Sequence, residues 1–313
     1  MASVVTLHQL ASIPYAVLAP ERAGPLPLCI LLLGAGGTRE NLTDLQPAFE
    51  GWRRDGVFPP AIIAVPSPGM DYYLGWDSFL AAELIPAVRA NFGASDVTIL
   101  AGISGGGYGA LKLAFARPEM FAAVAAMQPM LEPGLRESEV GARNRLHHIA
   151  GGPPQLVGPS RDAAIWEANN PANRARAHAR AIRESGMAIY IDAAGRDFLN
   201  AHDGAEFLHR TLWDLDLAHE YHLVRDADHG GPSMRPRMRA MFAWLGAILA
   251  PAAAERSAEE AAAAWLQSGM KGTPPAGATT TNAFIQFMRA QFEPLRENAA
   301  ERDPSVKRRY GVI

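Results

Sequence analysis

At 313 residues the chain is long enough for one large α/β domain with an appendage, and an apolar share of 49% against 19% charged residues excludes a disordered or fibrous protein. A formal net charge of -3 leaves no cationic footprint, which argues against nucleic acid and against an anionic membrane surface as partners. The single cysteine, Cys29, excludes an intrachain disulfide, and no basic segment precedes an apolar one in MASVVTLHQLASIPYAVLAP, so a soluble cytoplasmic protein is expected.

Two β-branched runs, VVTLH and IPYAVLA, lie close together and predict an antiparallel edge. Further short apolar runs follow in LCILLLG, AIIAVP, VTILAGI, AAVAAMQ, MAIYIDA and HEYHLVR, most of them separated by stretches of helical period. One of these, WDSFLAAELIPAVRANFG, opens on Asp77 as the expected cap and stops at Gly93. Strands alternating with helices predict a mostly parallel central sheet with helices on both faces. The rhythm breaks at 132–175, a turn-rich insertion that leaves the sheet after AAVAAMQ, on the side where open α/β sheets bind ligands. Beyond the helix MRAMFAWLGAILA the composition changes, so 1–250 is expected to be the main domain and 251–313 a C-terminal helical extension. In its second helix Phe284, Phe287, Met288, Phe292 and Leu295 share one face and need a docking partner, either the chain's own domain or a second subunit of a homodimer.

Residues 102–106, GISGG, match GxSxG between an apolar strand and a helix. In that setting a serine sits on a sharp turn with its hydroxyl exposed at the end of the sheet, and its neighbours must be small because flanking backbones crowd it. Ser104 is therefore the candidate nucleophile, and a serine hydroxyl needs a base and a group that orients the base. His229, in a loop after the last strand run, is the candidate base; His222 is internal to a strand, and His147 and His148 precede every plausible acid. Asp197, in the loop after MAIYIDA, is the candidate acid, with Asp192 its main rival; Asp203 suits a helix start, and Asp226 and Asp228 crowd His229 on its own loop. Stabilising a tetrahedral oxyanion needs two donors, assigned to the backbone N–H of Gly105 and that of Ala35 in the loop GAGGTREN.

The order Ser104, Asp197, His229 and the strings GISGGGYGALKLAFARPEMFAAVAAM, LLLGAGGTREN, IDAAGRDF and DADHGG resemble the esterase D, or "putative esterase", branch of the α/β-hydrolases over roughly residues 26–248. That branch includes S-formylglutathione hydrolases, feruloyl and acetylxylan esterases and mycolyltransferases, so the resemblance implies an α/β-hydrolase fold and a serine esterase. Two positions depart from the family pattern. Its methionine after the nucleophile is Gly105 here, which should leave more room beside the scissile carbonyl, and the histidine of its HGxGG loop is Leu33.

Ester hydrolysis through an acyl-enzyme is the expected reaction, on a small-molecule ester. An acyltransferase or an S-formylglutathione-type thioesterase on the same triad is the alternative, and a non-catalytic binding protein a third reading. Tyr72, Tyr73, Trp76, Tyr108, Trp166 and Phe198 are candidates to line the substrate pocket, although each would serve equally in packing. No cofactor and no metal are expected: HEYH puts His219 and His222 on a strand, unlike the helical HExxH arrangement.

Overall fold

The computed structural model describes residues 3–21, 24–69, 72–145, 163–250 and 253–302. All eight apolar runs become strands, β1 Ser3–Leu10, β2 Ile13–Pro20, β3 Leu26–Leu32, β4 Ile62–Pro66, β5 Ala94–Ile103, β6 Ala123–Met127, β7 Ala188–Ala194 and β8 Glu220–Val224. They form one sheet in the order β1-β2-β4-β3-β5-β6-β7-β8. β2 runs antiparallel to β1 and β4, while β4, β3 and β5 to β8 are parallel. Burial explains the two sequence patterns: residues 28–32 of β3 are wholly buried and continuously apolar, whereas β1 alternates and leaves Val4 and Leu7 exposed at the sheet edge.

β3 pairs with β4 on one side and β5 on the other, so the chain order reverses there and opens a crevice beyond the carboxyl ends of β3 and β5. Helices cover the sheet: α1 Asn41–Arg54, α2 Ile85–Phe92, α3 Gly105–Ala116, α4 Ala163–Asn169, α5 Pro171–Ser185, α6 Ala201–Asp214 and α7 Met234–Leu249. A π-helical turn, Phe79–Leu84, leads into α2, which ends as expected on Gly93 in the left-handed conformation. Asp77 is not the cap of that segment. Its carboxylate lies 3.0 Å from Lys112 Nζ and 2.7 Å from Arg174 Nη1, because Lys112 on α3 is wholly buried and requires a counter-charge.

The turn-rich expectation for 132–175 holds less well towards its end, where α4 forms and α5 starts at Pro171 with Asn170 Oδ1 accepting the N–H groups of Ala172 and Asn173. His147 and His148 lie outside the described residues.

By packing, the chain falls into two compact units, Met1–Trp213 with Leu217–Ile248, and Asp214–Asp216 with Leu249–Ile313. In the second, α8 Ala253–Gln267 and α9 Asn282–Arg302 meet through Trp265 and Phe284, whose ring centroids are 6.3 Å apart. The expected apolar stripe is buried unevenly: Phe284, Phe287 and Met288 are half-buried, Phe292 is exposed, and the side chain of Leu295 lies outside the described residues. Among the described residues no helix is long and apolar enough to cross a membrane.

Candidate active site

β5 delivers Ser104 to the crevice on a strained turn, with φ 56° and ψ −121°, a region that residues with a Cβ rarely occupy. The turn is fixed from three sides: the Ser104 N–H donates to Met127 O at 3.0 Å, and Ser104 O accepts the N–H groups of Tyr108 and Met130, each at 3.1 Å. Glycines flank it because backbones meet there. A Cβ on Gly106 would strike the Leu32 carbonyl and one on Gly102 the Gly106 carbonyl, so α3 can approach β3 and β5 only without side chains at those positions.

The loops after β7 and β8 bring the other two groups. Ser104 Oγ lies 2.8 Å from His229 Nε2, and His229 Nδ1 lies 2.7 Å from Asp197 Oδ2. The Asp197 side chain is fully buried and its other oxygen accepts the Leu199 N–H at 2.8 Å, so the carboxylate is an oriented acceptor. That acceptor fixes the proton of the imidazole on Nδ1 and leaves Nε2 to accept from the serine hydroxyl. Asp192, the rival acid, is buried one strand end away in an ion pair with Arg237 and does not reach His229. Burial raises its carboxyl above the ordinary range, against the opposing pull of the guanidinium.

Ala35 and Gly105 come together beside Ser104: a Cβ placed on Gly105 would lie 3.8 Å from the Ala35 nitrogen. Neither N–H has a hydrogen-bond acceptor among the described residues, unlike the adjacent Gly36 and Gly37. The Tyr73 hydroxyl supports this loop from below by donating to Leu33 O at 2.9 Å. Gly105 does not open extra room. The Tyr72 ring fills it, at 3.4 Å from the position a Cβ would take, and burial with the nearby Glu132 charge pushes the Tyr72 phenol up to about 12.

Of the six aromatic candidates, Tyr72 alone lines the cleft. Tyr73 is wholly buried beneath the Leu33 loop, and Trp76 packs on Tyr73 and Phe79. Tyr108 points away and donates to Asn169 O at 2.9 Å, and Trp166 is wholly buried. Phe198 is exposed and sets its ring edge-on to His229, 6.0 Å between centroids. Side-chain direction, which residue type does not reveal, decides which of these rings enters the core.

A hydrogen-bonded brace lies beneath the His229 loop. Gln128, at φ 41° just beyond β6, donates from its side-chain amide to the His229 carbonyl, and its own carbonyl oxygen accepts from Arg237 Nη1 at 2.6 Å. Arg237 also binds Asp192 and donates to Asp228 O at 3.2 Å, and Asp228 Oδ1 accepts the N–H groups of His229 and Phe198. Those two N–H bonds hold the Asp228 carboxyl below the ordinary range. The sequence carries little signal of it: three arginines, Arg235, Arg237 and Arg239, stand at the start of α7, and of these Arg237 is buried while Arg235 and Arg239 are exposed.

An open cleft of about 790 Å³ borders Ser104 and His229, with Leu45, Tyr72, Met130, Leu199, Met234 and Met238 among its walls. Among the described residues no group of three or more His, Cys, Asp or Glu side chains is arranged to hold a metal ion.

Solved structures share this architecture at low identity. A ferulic acid esterase superposes with a TM-score of 0.64 at 18% identity, over 79% of this chain and 99% of its own. An S-formylglutathione hydrolase from Agrobacterium tumefaciens gives 0.59 at 18%, over 79% and 95%. MPT51 (FbpC1) of Mycobacterium tuberculosis gives 0.58 at 19%, over 76% and 94%. These likenesses establish the α/β-hydrolase type of fold. No curated protein matches the sequence. The family described as "Putative esterase" matches residues 15–245, a span that runs from β2 into α7 and takes in Ser104, Asp197 and His229, and the chain belongs to that family.

Proposed function

We propose that the protein is a serine esterase that hydrolyses carboxylic esters through an acyl-enzyme on Ser104. The observation that carries this reading is the hydrogen-bonded row from Ser104 Oγ through His229 to Asp197, at 2.8 and 2.7 Å. His229 Nε2 takes the hydroxyl proton as Ser104 Oγ attacks the ester carbonyl carbon. The imidazolium that forms is stabilised by the Asp197 carboxylate and then gives its proton to the departing alcohol. Water, deprotonated by the same imidazole, attacks the acyl carbon and releases the acid and the free hydroxyl. The N–H groups of Ala35 and Gly105 face the developing oxyanion; losing one such donor costs about 3–4 kcal/mol of transition-state stabilisation.

Ser104→Ala is expected to reduce hydrolysis of p-nitrophenyl esters to background and to abolish labelling by a fluorophosphonate, with the circular dichroism of the folded protein unchanged. Turnover retained by this variant would move the nucleophile elsewhere.

A further inference from the structure

The walls of the cleft differ in charge as well as in shape. Among its described lining residues are three methionines, Met130, Met234 and Met238, one carboxylate, Asp44, and no lysine or arginine. Asp44 stands exposed in the first turn of α1, and no ion pair to it is formed among the described residues. Its neighbour Asn41 is already committed, its Oδ1 accepting the Thr38 N–H at 2.9 Å.

Among the described residues, two cations of the neighbouring elements are engaged elsewhere. Arg39, the one basic residue between β3 and α1, pairs with Glu40 at 3.0 Å and donates to the His8 carbonyl. Arg237 is buried against Asp192. The partial positive charge at the start of α1 is met by Asp44 itself. The oxyanion donors form a positive locus, and it acts on the reacting carbonyl oxygen.

We propose that this cleft accepts esters with an uncharged, apolar acyl chain and rejects esters that carry a free carboxylate, with Asp44 as the specificity-determining residue. The inference rests on the reading of Ser104 as the nucleophile. Methionine side chains are flexible and polarisable, so they adapt to an apolar chain without dictating its shape. A carboxylate among them loses hydration, finds no lysine or arginine among the described lining residues, and is repelled by Asp44 across the cleft. Like charges about 8 Å apart at an effective dielectric of about 30, between bulk water and a protein surface, give roughly a tenfold discrimination. A glutathione thioester, with its free carboxylates, belongs to the rejected class.

The test compares two esters of equal reactivity, p-nitrophenyl methyl adipate and p-nitrophenyl hydrogen adipate, by kcat/KM at low ionic strength. The neutral diester is expected to be preferred about tenfold or more, and added salt to reduce the preference. Asp44→Asn should lower the ratio several-fold, and Asp44→Lys should lower it further. A ratio near one in the parent protein, or a ratio unmoved by both substitutions, overturns the inference. Labelling of Ser104 by a fluorophosphonate without turnover of either adipate ester overturns it too, while leaving the nucleophile in place. Absence of both labelling and turnover overturns the reading of Ser104 on which it stands.

Discussion

Arg237 lies where two demands meet, since its guanidinium neutralises the buried Asp192 and also holds the backbone on which His229 sits. Arg237→Met would leave the Asp192 carboxylate buried without its partner, a change that costs about 3–5 kcal/mol. Gln128 allows the positioning role to be measured apart from that cost, because it is neutral and its side-chain amide donates directly to the His229 carbonyl. Gln128→Met keeps a similar volume but loses that donor and the acceptor for Arg237 Nη1, so the imidazole is held less well while the Asp192–Arg237 pair persists. The expected result is a fall in kcat of about tenfold with stability lowered by about 2–3 kcal/mol, in line with two hydrogen bonds, one of them from a charged donor. Equal losses in stability and in kcat across both variants would assign the network to folding alone. A serine between glycines, a late histidine and an intervening aspartate were readable as a candidate set because the proposed roles demand those residue types, and the structure brings the three side chains into one hydrogen-bonded row. Gln128 was not, since an amide after a strand has many uses and only its positive φ and its reach to His229 reveal this one.

The helical segment of residues 77–92 is tied to α3 and α5 by charge rather than by a cap. Burial pushes the Asp77 carboxyl up, but Lys112 and Arg174 outweigh it and the group titrates below its ordinary range. Between that lowered value and the unfolded value of about 3.9 the unfolded chain binds the extra proton, so stability rises with pH through this window, is complete above it and is lost as pH falls through the folded value. Asp77→Asn removes this contribution and takes the counter-charge of Asp77 from the buried Lys112 ammonium, which keeps Tyr73 O at 2.7 Å and Asn169 Oδ1 at 3.4 Å among its acceptors. A loss of about 3 kcal/mol at pH 7 is expected from urea unfolding, with a shallower decline below pH 4 than in the parent. A parent-like acid limb would remove Asp77 from the account. Every strand was legible because apolar, β-branched runs bounded by turn residues have few other uses. The cap assignment failed because an aspartate at a helix start has two good destinations, and the deciding group, a lysine inside the apolar run GALKLAFA, is 35 positions further along. Aromatic identity likewise left the side undetermined: Tyr73, Tyr108 and Trp166 became core while Tyr72 faces the cleft.

Ser104, Asp197 and His229 hang from β5, β7 and β8, with β6 intervening, so the row assembles across four adjacent strands of one sheet. At about 4.8 Å per strand the roots of the serine and histidine loops lie roughly 14 Å apart, a distance closed only when β5 to β8 are all paired and in register. Strand order of this kind was not readable from the chain, because pairing of β3 with both β4 and β5 depends on where crossovers pass and not on the composition of any one run. On the proposed reading of Ser104 as the nucleophile, reaction with a fluorophosphonate is expected to report the integrity of the whole sheet in the first compact unit, not the state of one loop. In a urea titration, labelling of Ser104 is expected to disappear at the same midpoint at which amide protection in β5 to β8 is lost. The helical pair α8–α9 belongs to the other compact unit, so its protection is expected to follow a midpoint of its own. Labelling that vanishes at lower urea than the protection of β5 to β8 would mean that the base loop detaches as a local unit. In that case the brace of Gln128 and Arg237, rather than the sheet, sets the stability of the site.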